Sequence, residues 1–148
     1  MTEEQVTLKI IDGLKKSGWK IVCFDYPQSG TGRLCKPRNS SSRAEGFVPD
    51  IVAVKNGTAL FFENKDRFVQ GDFDKINRIK SQHEFDDSIK ELLEGHGCDV
   101  ILFGIGLPTG QVFEEKAIVQ KGLVDFICMV DDVGTIRMIH GAEKMRLR

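Results

Sequence analysis

Apolar residues near the N-terminus recur at the spacing of an amphipathic helix. Val6, Ile10 and Leu14 lie four residues apart, and Thr2 with Gln5 forms the sequence of a capping box. The next segment, residues 19–24, is rich in aromatic and β-branched side chains, which favour a strand. The pattern therefore predicts a helix followed by a strand.

A β-hairpin is predicted further along, where the apolar-rich segments 47–55 and 58–65 flank Asn56-Gly57. Asn-Gly is the preferred sequence of a two-residue hairpin turn, because both turn positions need a positive φ. Phe61 and Phe62 are consecutive, which indicates a strand that is covered on both faces. This strand is therefore expected to be central in its sheet.

The rest of the chain alternates between helical and strand patterns. One long helix is predicted to be capped by Asp72 and ended by Gly95 and Gly97, with His83 packed or half-buried beside its apolar stripe. A strand at 100–105, a turn at 106–110, a short helix at 114–121 and a closing hairpin (123–130 with 135–140) follow. The prediction is a single α/β domain over residues 1–148, with a mixed central β-sheet flanked by helices. Its element order is αβββαβ plus a C-terminal helix and β-hairpin.

Residues 26–46 form a long segment without apolar periodicity and are predicted to be a flexible basic loop. Glu45 is its only acidic residue, and its cations are Arg33, Lys36, Arg38 and Arg43. Two interpretations stay open: a solvated loop, or a flap that closes on a nucleic-acid backbone.

Composition limits the class of protein. The net charge is −1 and 41% of the residues are hydrophobic, which is ordinary for a globular domain. The chain lacks both the roughly 20-residue apolar run of a membrane span and the basic-then-apolar layout of a secretory signal, so a cytoplasmic protein is expected. Neither a phosphate-binding loop nor a dinucleotide fingerprint is present, and no organic cofactor is predicted.

The candidate chemistry lies on the hairpin. Glu63 and Lys65 are two residues apart on one strand and so point to the same face. Asp50 opens the partner strand, where Asn64 or Glu63 is expected roughly opposite Pro49-Asp50. Neighbouring carboxylates repel each other unless a cation lies between them. Mg²⁺ favours such a pair together with waters and phosphate oxygens, and a nearby lysine can activate the attacking water or stabilise developing charge.

These residues resemble a known family. Pro49-Asp50, twelve residues, then Glu63-Asn64-Lys65 is similar to the motif of the PD-(D/E)XK phosphodiesterase superfamily, which includes type II restriction endonucleases and archaeal-type Holliday junction resolvases. The similarity covers about the first 105 residues in element order. It implies a restriction endonuclease-like core in which Asp50 and Glu63 bind Mg²⁺, with Mn²⁺ as a possible substitute. It also implies that Lys65 assists the nucleophilic water and that the backbone carbonyl of Asn64 is a further candidate ligand.

Many members of that superfamily add a carboxylate from the first helix. The resolvase pattern places it where this chain has Thr7. Glu3 lies one turn earlier on the same helix face and becomes the candidate, followed by Glu4. Lys75 and Arg78 of the second long helix are candidate phosphate contacts, the alternative being a solvated face.

The expected activity is that of a Mg²⁺-dependent endodeoxyribonuclease that hydrolyses phosphodiester bonds of DNA. A homodimer is expected, since paired nicks on a two-fold duplex favour one. Two alternatives remain: a Holliday junction resolvase-like nuclease, and a non-catalytic nucleic-acid-binding subunit that keeps the nuclease fold.

Overall fold

The computed structural model describes residues 1–25, 32–37 and 46–145. The elements run in the order α1 (Glu3–Lys16), β1 (Lys20–Phe24), β2 (Ile51–Lys55), β3 (Thr58–Asn64), α2 (Gln70–Gln82), α3 (Asp86–Leu92), β4 (Val100–Pro108), α4 (Gln111–Val119), a 3-10 turn (Lys121–Leu123), β5 (Phe126–Val130), β6 (Ile136–His140) and α5 (Ala142–Met145). The predicted α/β order is confirmed, with one additional helix in the middle and one at the end.

The six strands form one mixed sheet in the order β1-β2-β3-β4-β5-β6. β3, β4 and β5 are parallel to each other, and β1–β2, β2–β3 and β5–β6 are antiparallel pairs. Parallel strands need crossover connections, which here contain α2 with α3 and then α4. The predicted mixed central sheet flanked by helices is therefore confirmed.

Two hydrophobic clusters cover the two faces of this sheet. Phe61 belongs to the cluster under α2, α3 and α4, while Phe62 belongs to the cluster under α1. Each phenylalanine is 1% exposed. The prediction of a central strand that is covered on both faces is confirmed.

The N-terminal helix and the hairpin turn form as predicted. Thr2 and Gln5 make the reciprocal hydrogen bonds of a capping box. Asn56 and Gly57 both have positive φ, as a two-residue turn requires. The first strand of the hairpin is shorter than predicted, since Phe47 forms only an isolated bridge with Cys35.

The predicted long helix is wrong in three respects. It begins at Gln70 with Val69 as its N-cap, so Asp72 lies inside the first turn and is not the cap. It ends at Gln82, because His83 adopts a left-handed conformation (φ 57°), and α3 starts a second helix. His83 is exposed, not packed or half-buried, with 66% of its side chain accessible.

The predicted turn at 106–110 is also wrong in part, because β4 continues to Pro108. Gly104 and Gly106 lie within this strand, where a Cβ would collide with Phe126 and with Asn64, respectively. The short helix begins earlier than predicted, at Gln111, and the closing hairpin is confirmed by the β5–β6 pairing.

Part of the predicted basic loop is described. Cys35 is fully buried and exchanges two backbone hydrogen bonds with Phe47, and the backbone N–H of Lys36 donates to Ser88 Oγ on α3 (3.0 Å). Cys35 and Lys36 thus connect this part of the loop to the segment before β2 and to α3. The rest of the loop, with Arg38 and Arg43, lies outside the described residues, and its flexibility stays a prediction. In the described ranges, no helix is long and apolar enough to cross a membrane.

Candidate active site

The hairpin register places Asp50 beside Glu63. The last paired residues of β2 and β3 at this end are Ile51 and Phe62, so the next position on each side is Asp50 and Glu63. The backbone N–H of Asp50 donates to Phe62 O (2.9 Å), and the backbone N–H of Asn64 donates to Asp50 Oδ2 (2.7 Å). These two bonds fix the Asp50 carboxylate at the open end of the hairpin.

The surroundings of both carboxyl groups disfavour their charged forms. Burial, and then the charge of Glu63, raises the pKa of Asp50 to about 8. Burial likewise raises the pKa of Glu63, which is only 9% exposed. Burying two acids side by side costs free energy unless a cation compensates them, and an arrangement of this kind is typical of a functional site.

Lys65 follows β3 and faces the same group of acids. Burial opposes its charge, but the carboxylates of Asp72, Glu3, Glu63 and Asp50 together raise the pKa of its ammonium group. Its ion pair is with Glu3, whose Oε1 lies 3.7 Å from Lys65 Nζ. Lys65 is therefore held protonated beside the carboxylate pair, where it can orient a water or stabilise negative charge.

The first helix reaches the site through Glu3 and Thr7. Glu3 approaches Lys65, and its charge also acts on Asp50. Thr7 is buried and accepts a hydrogen bond from Asn64 Nδ2 (3.1 Å), which holds α1 against the end of β3. Among the described side chains, Glu4 has no ion pair or hydrogen bond with these residues.

Helix α2 adds two residues that the sequence patterns do not assign to the candidate metal site. Asp72 is 9% exposed, and its Oδ2 has no hydrogen-bond partner among the described residues. Lys75 Nζ lies 3.3 Å from Glu63 Oε2. The sequence feature that could have identified both residues is their spacing of three on a helix that closely follows the motif. The sequence patterns do not assign Asp72 to the site because they predict Asp72 as the helix cap, whereas the helix already begins at Gln70.

The predicted nucleic-acid contacts fall in different places. Lys75 lies in the site itself, whereas Arg78 is exposed one turn further along α2. Arg33 and Lys36 are exposed on the described part of the loop, and Arg38 and Arg43 lie outside the described residues. A phosphate contact by any of these residues stays a prediction.

The donor set fits a hydrated divalent cation. In the described parts of the chain, no group of three or more His, Cys, Asp or Glu side chains is arranged to hold a metal ion. Mg²⁺ does not need such a cage, since it commonly binds one or two carboxylates and completes its shell with waters and phosphate oxygens. Asp50 and Glu63, with the carbonyl of Asn64 as a candidate, meet that requirement, and the cation would relieve their mutual repulsion.

Two solved structures are similar to the chain over most of its length. A FdxN element excision controlling factor protein from Anabaena variabilis is 18% identical, with a TM-score of 0.49 over 93% of this chain and 99% of that chain. An XisH family protein from Nostoc punctiforme PCC 73102 is 15% identical, with a TM-score of 0.48 over 90% and 96%. No protein-family model and no curated protein matches the chain. At these identities, and with TM-scores under one half, neither similarity carries an argument about function.

Proposed function

We propose that this chain is a divalent-metal-dependent endodeoxyribonuclease of the PD-(D/E)XK type, with Asp50, Glu63 and Lys65 as its catalytic residues. The observation that carries the proposal is the pair of neighbouring carboxyl groups at the open end of the hairpin, where Glu63 is buried, Asp50 is half-buried and the pKa of Asp50 is raised to about 8. A solvated strand end with a simple Glu–Lys ion pair does not account for it. Glu63 is 9% exposed, and the lysine that it contacts comes from α2 instead of from the motif.

Each residue has a distinct role in this proposal. Asp50, oriented by the N–H of Asn64, and Glu63 hold the metal, and the Asn64 carbonyl is a further candidate ligand. When bound, Mg²⁺ would supply Lewis-acid polarisation of the phosphate and help to activate the attacking water. Lys65 is held as an ammonium group by the surrounding carboxylates, so it acts by positioning water and stabilising charge.

A cleavage assay tests the activity and separates the alternatives. Supercoiled plasmid, linear duplex, four-way junction and single-stranded DNA are incubated with Mg²⁺, Mn²⁺ or EDTA. We expect cleavage with either metal and none with EDTA. Preference for the four-way junction would favour a resolvase-like enzyme, while DNA binding without cleavage under any metal condition would favour a non-catalytic binding subunit.

Three substitutions test the assigned roles. Asp50→Asn and Glu63→Gln each remove a negative charge from the metal site, so both should abolish cleavage and weaken metal binding while DNA binding persists. Lys65→Ala keeps both carboxylates, and its cleavage rate should fall by about 10²–10⁴-fold. Rates are measured under single-turnover conditions with saturating protein.

The matched controls are Asp74→Asn, Glu91→Gln and Lys90→Ala, which change exposed residues of α2 and α3. These variants should cleave like the parent. Parent-like cleavage by both Asp50→Asn and Lys65→Ala would show that the motif is a coincidence.

A further inference from the structure

Lys75 is held in a fixed position within the acidic site. Its Nζ lies 3.3 Å from Glu63 Oε2 and 5.9 Å from the centre of the Phe47 ring. The side chain is 31% exposed, so it is partly withdrawn from solvent. A lysine that only served a solvated helix face would extend into water, and this one is instead directed at a buried carboxylate.

Asp72 and Lys75 lie on the same face of α2. It precedes Lys75 by three residues on α2, a spacing that places two side chains on one helix face. The helix N-terminus accounts for a negative charge at Asp72, but it does not account for a carboxylate that is 9% exposed with an Oδ2 unpartnered among the described residues. The positive charge that reaches Asp72 comes from lysines of the site, Lys65 first and then Lys75.

The ionisable side chains around Lys75 have a net negative charge when all of them are ionised. We define the acidic cluster as Glu3, Asp50, Glu63 and Asp72 together with Lys65 and Lys75. Arg67 also acts on Asp72, but it pairs with Asp66 at 2.9 Å. When ionised, four carboxylates and two ammonium groups leave the cluster with a charge of minus two. One divalent cation neutralises that charge.

We propose that the ammonium group of Lys75 stands where a second divalent cation would otherwise bind between Glu63 and Asp72, and so limits the site to a single metal ion. This inference rests on the proposed function, because it concerns the metal that Asp50 and Glu63 would hold. Without the Lys75 charge, Lys65 is the remaining lysine that acts on both buried carboxylates, Glu63 and Asp72. Two buried carboxylates with less positive charge beside them attract another hydrated divalent cation. Lys75 is thus a positioning residue that sets the metal stoichiometry.

The test counts bound metal and does not depend on cleavage. Mn²⁺ is titrated into the folded chain, and the unbound ion is followed by electron paramagnetic resonance. The parent should bind about one Mn²⁺ per chain. Lys75→Met and Lys75→Gln, which remove the charge but keep most of the side-chain volume, should bind about two. Lys75→Arg, which keeps the charge, and Lys90→Met, which changes an exposed lysine of α3, should match the parent.

A second substitution locates the additional ion. Adding Asp72→Asn to Lys75→Met should return the count to about one, because the new position would lose a carboxylate. A count of about one in both neutral Lys75 variants would overturn the inference and leave the proposed function standing. A parent that binds no Mn²⁺ would overturn the proposed function and this inference with it.

Discussion

At the scale of single residues, Asp50 has an environment that is unfavourable for the charge of its carboxyl group. Its carboxyl group is desolvated and next to another acid, yet its Oδ2 accepts a short hydrogen bond from the Asn64 backbone. A hydrogen bond to one oxygen orients the group without removing the cost of its charge. An unfavourable arrangement of this kind is expected where a residue serves ligand binding and not folding.

This cost predicts a pH-dependent stability difference for Asp50→Asn. The folded pKa of Asp50, about 8, lies above its ordinary value of 3.8, so the folded state holds the proton more tightly and the parent loses stability as pH rises between those values. In EDTA at pH 8, Asp50→Asn should be more stable than the parent by about 1–3 kcal/mol, and at pH 4 the difference should be small. Thermal unfolding followed by circular dichroism at both pH values measures it.

The control for that measurement is Asp74→Asn, which changes an exposed aspartate of α2. Its stability should follow the parent at every pH. An Asp50→Asn variant that is less stable than the parent at pH 8 would mean that Asp50 serves the fold as an ordinary hydrogen-bond acceptor.

At the scale of elements, the end of β3 depends on the strand beside it. Asn64 pairs with Gly106 of β4 in parallel register, and a Cβ at Gly106 would meet the Asn64 side chain and come within 2.5 Å of Ile10 Cδ1. The backbone N–H of Lys65 donates to Gly106 O (3.1 Å). The lack of a side chain at Gly106 thus lets α1 and β3 pack closely just below the site.

Gly106→Ala is accordingly expected to destabilise the protein by about 1–3 kcal/mol, because Asn64 and Ile10 must both move to admit the methyl group. Gly122→Ala is the matched control, since no described atom lies within 4 Å of a Cβ at that position. Chemical denaturation measures both variants. Equal stability of Gly106→Ala and the parent would show that the packing around Asn64 is loose.

Local elements are predictable from the sequence where one signal governs them. The capping box, the Asn-Gly turn and the consecutive phenylalanines of β3 each have one physical reason, and each prediction is confirmed. The break at His83 is missed because the apolar stripe continues across it into α3, so periodicity alone indicates one helix. Gly106 is wrongly assigned to a turn because the reason for a glycine there, contact with Asn64, is a long-range one.

At the scale of the whole molecule, the site also combines neighbours that the local sequence predicts with contacts that depend on long-range packing. Asp50 and Glu63 are predictable as neighbours because a hairpin relates them through a short turn. The sequence patterns predict a phosphate contact for Lys75 but not its ion pair with Glu63. That ion pair cannot be derived from the sequence, because the packing of residues such as Phe73 and Ile76 fixes how α2 approaches the sheet. The assignment of chemistry to these residues stays a prediction until the cleavage assay is done.

The basic segment at residues 26–46 gives a prediction about DNA binding. Changing Arg33, Lys36, Arg38 and Arg43 to alanine should weaken binding and flatten its salt dependence, by roughly 0.9 in the log–log slope for each phosphate that is no longer bound. The control changes four exposed lysines elsewhere to alanine: Lys15, Lys20, Lys116 and Lys121. Fluorescence anisotropy at several salt concentrations measures both. Equal slopes for the two variants would show that the segment does not touch the DNA backbone.

The two-residue turn of the hairpin restricts the number of residues that can separate the two carboxyl groups of the candidate site. The twelve residues between Asp50 and Glu63 divide into five of β2, the turn Asn56-Gly57, and five of β3 that pair with β2. While that turn is kept, the interval can change only by an even number of residues, since each added cross-strand pair takes one residue from each strand. An odd insertion within either strand would direct one carboxyl group toward α1 and the other toward α2. A single-residue length change elsewhere in the hairpin would therefore separate the two carboxyl groups of the candidate site, whereas the length of the segment before Asp50 carries no such restriction.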